Sequence, residues 1–296
     1  MRGRILILAG VLYATPAYAL LDDETNQPAP PDADSDMVVW TAVTWPTELN
    51  DQPLVMSSGM FQVHLDAFVN LSDNAAGKPV AFAPDIFYGI TDRFTVGLTH
   101  NVGLCVTGEN NGCAKVYNDV GLQARFLIKR TFNLELAAVA GVEAVALDPF
   151  ALGIRLGALF KYKHGRFAIF VDPSFKIGAT HRDGTVDPMT MMEVGANKET
   201  LAIPLRFSFQ ATNKIAAYVR TGLAGAVGVS ADLNPGARLD AFGDTFTIPL
   251  GIGAQFGIIP RFDVGLELMF PNLIWPGGNT GAFVARELLV FADYRI

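Results

Sequence analysis

The sequence predicts an all-β chain: a transmembrane, antiparallel, up-and-down β-barrel of about 12 strands. Three observations carry this. Apolar and polar residues alternate with period two through most of the chain. The connections between alternating runs are short and long in turn, as in barrels with tight turns at one end and loops at the other. Half of the 296 residues are hydrophobic and only 17% are charged. Yet past the first twenty residues no apolar run approaches the roughly 20 residues that a spanning helix needs.

The chain divides into three parts. Residues 1–19 read as a signal peptide: Arg2 and Arg4, the apolar stretch Ile5 to Ala14, then Ala17-Tyr18-Ala19 before a cleavage point. Residues 20–58 form an N-terminal tail. Its first part, Leu21 to Asp36, is acidic and Pro-rich and cannot bury enough apolar surface to order itself. Its second part, Met37 to Ser58, carries Trp40, Trp45, Pro46 and Pro53; it either packs into the barrel mouth or lies on the periplasmic side. Residues 59–296 are the barrel.

The clearest hairpin is Ile86 to Leu104, folded about Thr91-Asp92-Arg93. After the turn, Phe94, Val96, Leu98, His100, Val102 and Leu104 fall on the outward face. The first strand, Gly59 to Asn70, sets Phe61, Val63 and Leu65 against Gln62, His64 and Asp66. A fourth strand, Val116 to Lys129, points Leu122 and Phe126 out and Asp119, Gln123 and Arg125 in. The pattern repeats around turns at Lys129-Arg130, Lys163 to Gly165, Ala211 to Asn213 and Ile259 to Arg261. Outward aromatics such as Tyr88, Phe126, Phe132, Tyr162, Phe167 and Phe207 gather beside the short turns, where an interfacial girdle belongs. Cys105 and Cys113 lie within one polar loop; in an exported chain this pair suggests a disulfide at the loop tip.

The final strand places Leu288, Val290, Ala292, Tyr294 and Ile296 on one face. It resembles the C-terminal assembly signal of Gram-negative outer-membrane β-barrels, although that signal usually ends in Phe or Trp. The Y-G-I-T-D-R-F hairpin and the W-P-T-E-L-N-D-Q-P-L segment resemble porin-like barrels of the phenol-degradation-associated, MetA-pathway type. The resemblance implies location in the cell outer membrane. It also implies a channel role, with outer-membrane lipids, the barrel-assembly machinery and small solutes as partners.

If the apolar face meets lipid, the polar face lines the interior. There Arg155, Lys161, Lys176, Arg206 and Arg220 gather on one arc, with Arg125 and Glu135 beside it. Asp66, Asp85, Glu267 and Glu287 gather on the opposite arc. Opposed walls set up a transverse field that orients dipolar solutes and sorts ions. Inward glycines, among them Gly97, Gly253 and Gly265, argue for open space along the bore. The expected function is passive or gated passage of small hydrophilic or amphipathic solutes. The alternative is a structural or surface-receptor barrel with a side-chain-filled lumen. A lipid-modifying enzyme would need a serine beside His100 on the lipid face, and the sequence offers none there. The four histidines show no metal-ligand spacing, and no cofactor or nucleic-acid motif stands out. Calcium on the loop acids Asp183, Asp187, Asp232, Asp240 and Asp244, and constriction by Met189, Met191 and Met192, are further expectations of the loops.

Overall fold

The computed structural model describes residues 39–296 except 73–74, 109–110, 112, 114, 148–149, 183–184, 187–192, 195–196, 198, 227–245, 275–282 and 284. The expected signal peptide, the acidic stretch, the three loop methionines and the five loop acids lie outside the described residues.

Twelve strands follow in chain order. They are β1 Phe61–Asn70, β2 Val80–Thr91, β3 Phe94–Thr99, β4 Val120–Arg130, β5 Leu134–Leu147 and β6 Phe150–His164. Then come β7 Phe167–Val171, resuming as Ser174–Gly178, β8 Thr200–Thr212, β9 Ile215–Ala226, β10 Ile248–Ile259, β11 Phe262–Ile274 and β12 Glu287–Arg295. Each pairs antiparallel with its neighbours in sequence. β1 also pairs with β12, Gln62 opposite Arg295 through Asn70 opposite Glu287, so the sheet closes and no barrel edge is left to aggregate. The turns after β2, β4, β6, β8 and β10 are two or three residues long.

The alternation sorts residues as the sequence predicts. Leu122 is 62% exposed, Phe167 62% and Phe132 70%, all on the outside. Asp263, Glu267, Asp293 and Arg295 are buried on the inside. In a soluble protein this exterior would be an aggregation surface; against hydrocarbon it is the expected one.

One stretch departs from the pattern. The sequence carries β3 through His100 to Leu104 and starts β4 at Val116; the structure ends β3 at Thr99 and starts β4 at Val120. The carboxylate of Asp119 accepts the N–H groups of Asn101 at 2.5 Å, Val102 at 2.9 Å and Gly103 at 3.3 Å. Asp85 accepts that of His100 at 2.7 Å. Side chains have taken the place of the ladder, so the parity rule lapses. His100 therefore turns away from lipid. Its side chain is 3% exposed, with Nδ1 3.4 Å from Asp85 and Nε2 2.9 Å from the Tyr117 hydroxyl. Beyond this break, Leu104–Cys105 pairs back onto Ala81 and Phe82 of β2. Cys105 and Cys113 are bonded there, Cα atoms 5.7 Å apart, and packed with Ala81.

Candidate functional site

The segment before β1 cannot pair as a strand. Pro46 and Pro53 lack an N–H, and Leu49–Asp51 coils into a single 3₁₀ turn. Its polar backbone groups still need partners, and the barrel interior supplies them. The Asn50 N–H meets Oε1 of Gln210 at 3.3 Å, and Asn50 Nδ2 donates to the Arg166 carbonyl at 2.9 Å. Lys161 Nζ donates to the Gln52 carbonyl at 2.8 Å, while Gln52 Nε2 donates to Asp263 at 2.6 Å. The N–H of Leu54 donates to Glu135 at 2.8 Å and that of Met56 to Thr95 Oγ1 at 2.9 Å. These partners come from β3, β5, β6, β8, β11 and the β6–β7 turn. The segment therefore crosses the bore at the short-turn end, which in outer-membrane barrels faces the periplasm.

Apolar contacts hold the same plug. Trp45, Met56 and Met60 pack with Phe87, and Val55 packs with Leu127 and Ala137. The Arg295 guanidinium lies 4.8 Å from the Trp45 ring and 2.7 Å from Asp263. Burial, reinforced by neighbouring Asp51, holds the Glu48 carboxyl above its usual range. Glu135 and Lys161, expected among the residues lining an open pore, are instead anchors. They pair at 3.1 Å, both buried, and each binds the plug backbone.

The inward glycines also have a different meaning from the expected one. Phe87 lies opposite Gly97, Tyr218 opposite Gly253 and Phe291 opposite Gly265 in register. A Cβ on these glycines would come within 2.3 Å, 2.4 Å and 2.1 Å of the facing ring. Gly257 gives way in the same sense to the plug, where a Cβ would stand 2.3 Å from the Thr47 carbonyl oxygen. The space that glycine leaves is filled by a neighbouring ring or by the plug backbone rather than left open.

What remains open is a cavity of about 470 Å³, floored by Leu49, Leu54 and Met56. Asp66, Asp85, Arg125, Arg206, Arg220 and Glu267 all line it. Arg155 lines a smaller cavity of about 140 Å³ towards the loop end, together with His100. Most charges are matched. His64 stands 3.0 Å from Asp66 and 2.9 Å from Asp293. Arg155 meets Asp172 at 3.1 Å, Arg220 meets Glu267 at 3.7 Å, and Lys176 meets Glu143 at 3.5 Å. Glu287, expected on the acidic wall, is half-buried at the start of β12 and lines neither cavity.

Two arginines differ. Arg125 lies 4.2 Å over the ring of Phe87, and Arg206 lies 4.1 Å over that of Phe170 and 5.5 Å from that of Tyr218. Among the described residues neither has a carboxylate within 4 Å, and the Nε of each is buried without a hydrogen-bond partner. These inward rings escaped the sequence reading. The available signal was an aromatic on the polar face, out of phase with its strand, as Phe87 is between Ile86 and Tyr88.

No family model matches the chain, and no curated protein matches it. Solved structures do. The NanC porin superposes with a TM-score of 0.55 at 7% identity, over 79% of this chain and all of that one. The KdgM porin gives 0.48 at 6% identity, over 79% and 98%. Omp33 of Acinetobacter baumannii gives 0.38 at 12% identity, over 80% and 98%. The closed sheet, the greasy exterior and the polar interior together make this chain a 12-strand antiparallel β-barrel with a porin-like fold.

Proposed function

We propose that the protein is a channel for small hydrophilic or amphipathic solutes, gated by the segment 39–58 at the short-turn end of its bore. The observation that carries this is the charge-lined cavity resting on a floor that belongs to no strand. That floor is held by side-chain hydrogen bonds and two small apolar clusters, which are far easier to release than twelve paired strands. Solute would enter from the loop end, past Arg155 and Asp172, and pass when the plug shifts.

A second reading is a filled structural barrel, and it too has an observation in its favour: Phe87, Tyr218, Phe291 and the plug occupy much of the lumen. Planar-bilayer currents separate the two. The full chain should conduct, and a chain lacking residues 39–56 should conduct several-fold more. Equal currents would remove the gating role. Silence from both would leave the filled barrel.

A further inference from the structure

We propose that the 470 Å³ cavity is a binding station for small amphipathic carboxylates, the carboxylate held by Arg125 and Arg206 and the apolar body covered by side chains of the plug and the wall; this rests on the channel reading above. The argument starts from which cations are spent. Arg155, Arg220 and Arg295 each face a carboxylate at 3.1 Å, 3.7 Å and 2.7 Å. The acids are spent likewise: Asp66 and Asp293 on His64, Asp85 on His100. Arg125 and Arg206 stand outside this pairing.

Their setting keeps them available. A guanidinium stacked on a ring is stabilised through its face, because the π cloud is negative there and the ion is weakly hydrated. Its N–H groups radiate in the plane of the ion and are not used by the ring. Stacking therefore fixes the cation while leaving the edge free for a two-pronged acceptor, and a carboxylate matches that fork. The Nε of each is buried without a partner, while both residues line the cavity.

The apolar part of the lining chooses the body of the ligand. Leu49, Leu54 and Met56 come from the plug, and Leu159 and Leu289 from the wall. Apolar surface facing a cavity gains by covering, at about 25 cal/mol per Å². A volume near 470 Å³ lies in the range of small-molecule sites. A bare anion would meet the arginines but leave the leucines uncovered. A neutral apolar molecule would cover the leucines but leave two cations without an acceptor.

The test is calorimetric titration of the detergent-solubilised full chain with cyclohexanecarboxylate, cyclohexylmethanol and acetate. The acid should bind at least about tenfold more tightly than either, since the alcohol lacks the charge-assisted hydrogen bonds and acetate lacks the apolar body. R125Q and R206Q should each weaken the acid about tenfold and leave the alcohol unchanged. K214Q, in the β8–β9 turn, should change neither. Each variant is first checked for the heat-resistant folded band on a gel. Where a glutamine variant does not fold, R125K or R206K replaces it; loss of the planar fork should still weaken the acid several-fold. Equal affinity for acid and alcohol, equal affinity for acid and acetate, or wild-type affinity in the arginine variants would overturn the proposal. A barrel that conducts potassium chloride but binds no acid overturns this inference alone. A barrel that binds the acid but passes no current overturns the channel reading alone.

Discussion

The main-chain N–H of Leu54 donates to Oε2 of Glu135 at 2.8 Å, joining positions 81 residues apart in the chain. The same carboxylate, through Oε1, meets Lys161 at 3.1 Å and Arg130 at 3.3 Å. One buried acid on β5 thus ties the plug to β4 and β6 as well. E135A should leave Lys161 buried without its acid, at a cost on the order of 3–5 kcal/mol. The plug should loosen before the barrel does. Limited proteolysis should then cut within residues 39–58 while the barrel core stays resistant, and single-channel currents should rise. E135Q keeps one acceptor and should fall between. A plug equally protected in wild type and E135A would count against the anchor role.

The ring-and-glycine pairs predict a local clash. A Cβ at residue 265 would sit 2.1 Å from the Phe291 ring. G265A should destabilise the barrel by about 1–3 kcal/mol, the usual range for overpacking. F291A should relieve that clash, so the double variant should be less unstable than the two single losses summed. Urea unfolding followed by the shift in gel mobility measures all three. Strict additivity would mean that the two residues do not meet.

The Cys105–Cys113 bond closes a short loop, with a sequence separation of 8, at the loop end of β3. Chain-entropy reasoning assigns such a closure about 2–3 kcal/mol. Reduction, or C105A with C113A, should lower the free energy of unfolding by that amount, read from the urea midpoint, while the strand content by circular dichroism stays the same. Loss of the strand signal on reduction would show that the bond is needed for the barrel itself.

The charge arrangement predicts a selectivity change. Replacing Arg155, Arg206 and Arg220 together with alanine removes three cations from the bore and leaves Asp172 and Glu267 without their partners. The reversal potential under a salt gradient should move toward cations. A reversal potential that stays where it was would separate these residues from the ion path.

Much of the architecture was legible because period-two alternation is a direct print of the two solvents on either side of the wall. β12 shows it plainly, with Val290 and Tyr294 facing out and Phe291, Asp293 and Arg295 buried. What was not legible had a common cause: it depended on partners far away in sequence. His100 is misplaced by parity because Asp119, nineteen positions on, captures the backbone between them. Glu135 and Lys161 read as lumen charges, and only the plug shows what they hold. Gly97 and Phe87 are each legible, but the direction of the ring toward the glycine is a matter of register. Arg125 and Arg206 look like any other inward arginine until the acids have been assigned elsewhere.

The closing pair has a bearing on how the plug can move. Phe61 and Ile296 exchange backbone hydrogen bonds at 3.1 Å and 2.9 Å, so the seam joins the two ends of the barrel sequence. The plug runs directly into the strand that forms the seam. A plug that shifts in the finished barrel therefore pulls on the closing strand, at the Phe61 end of the seam.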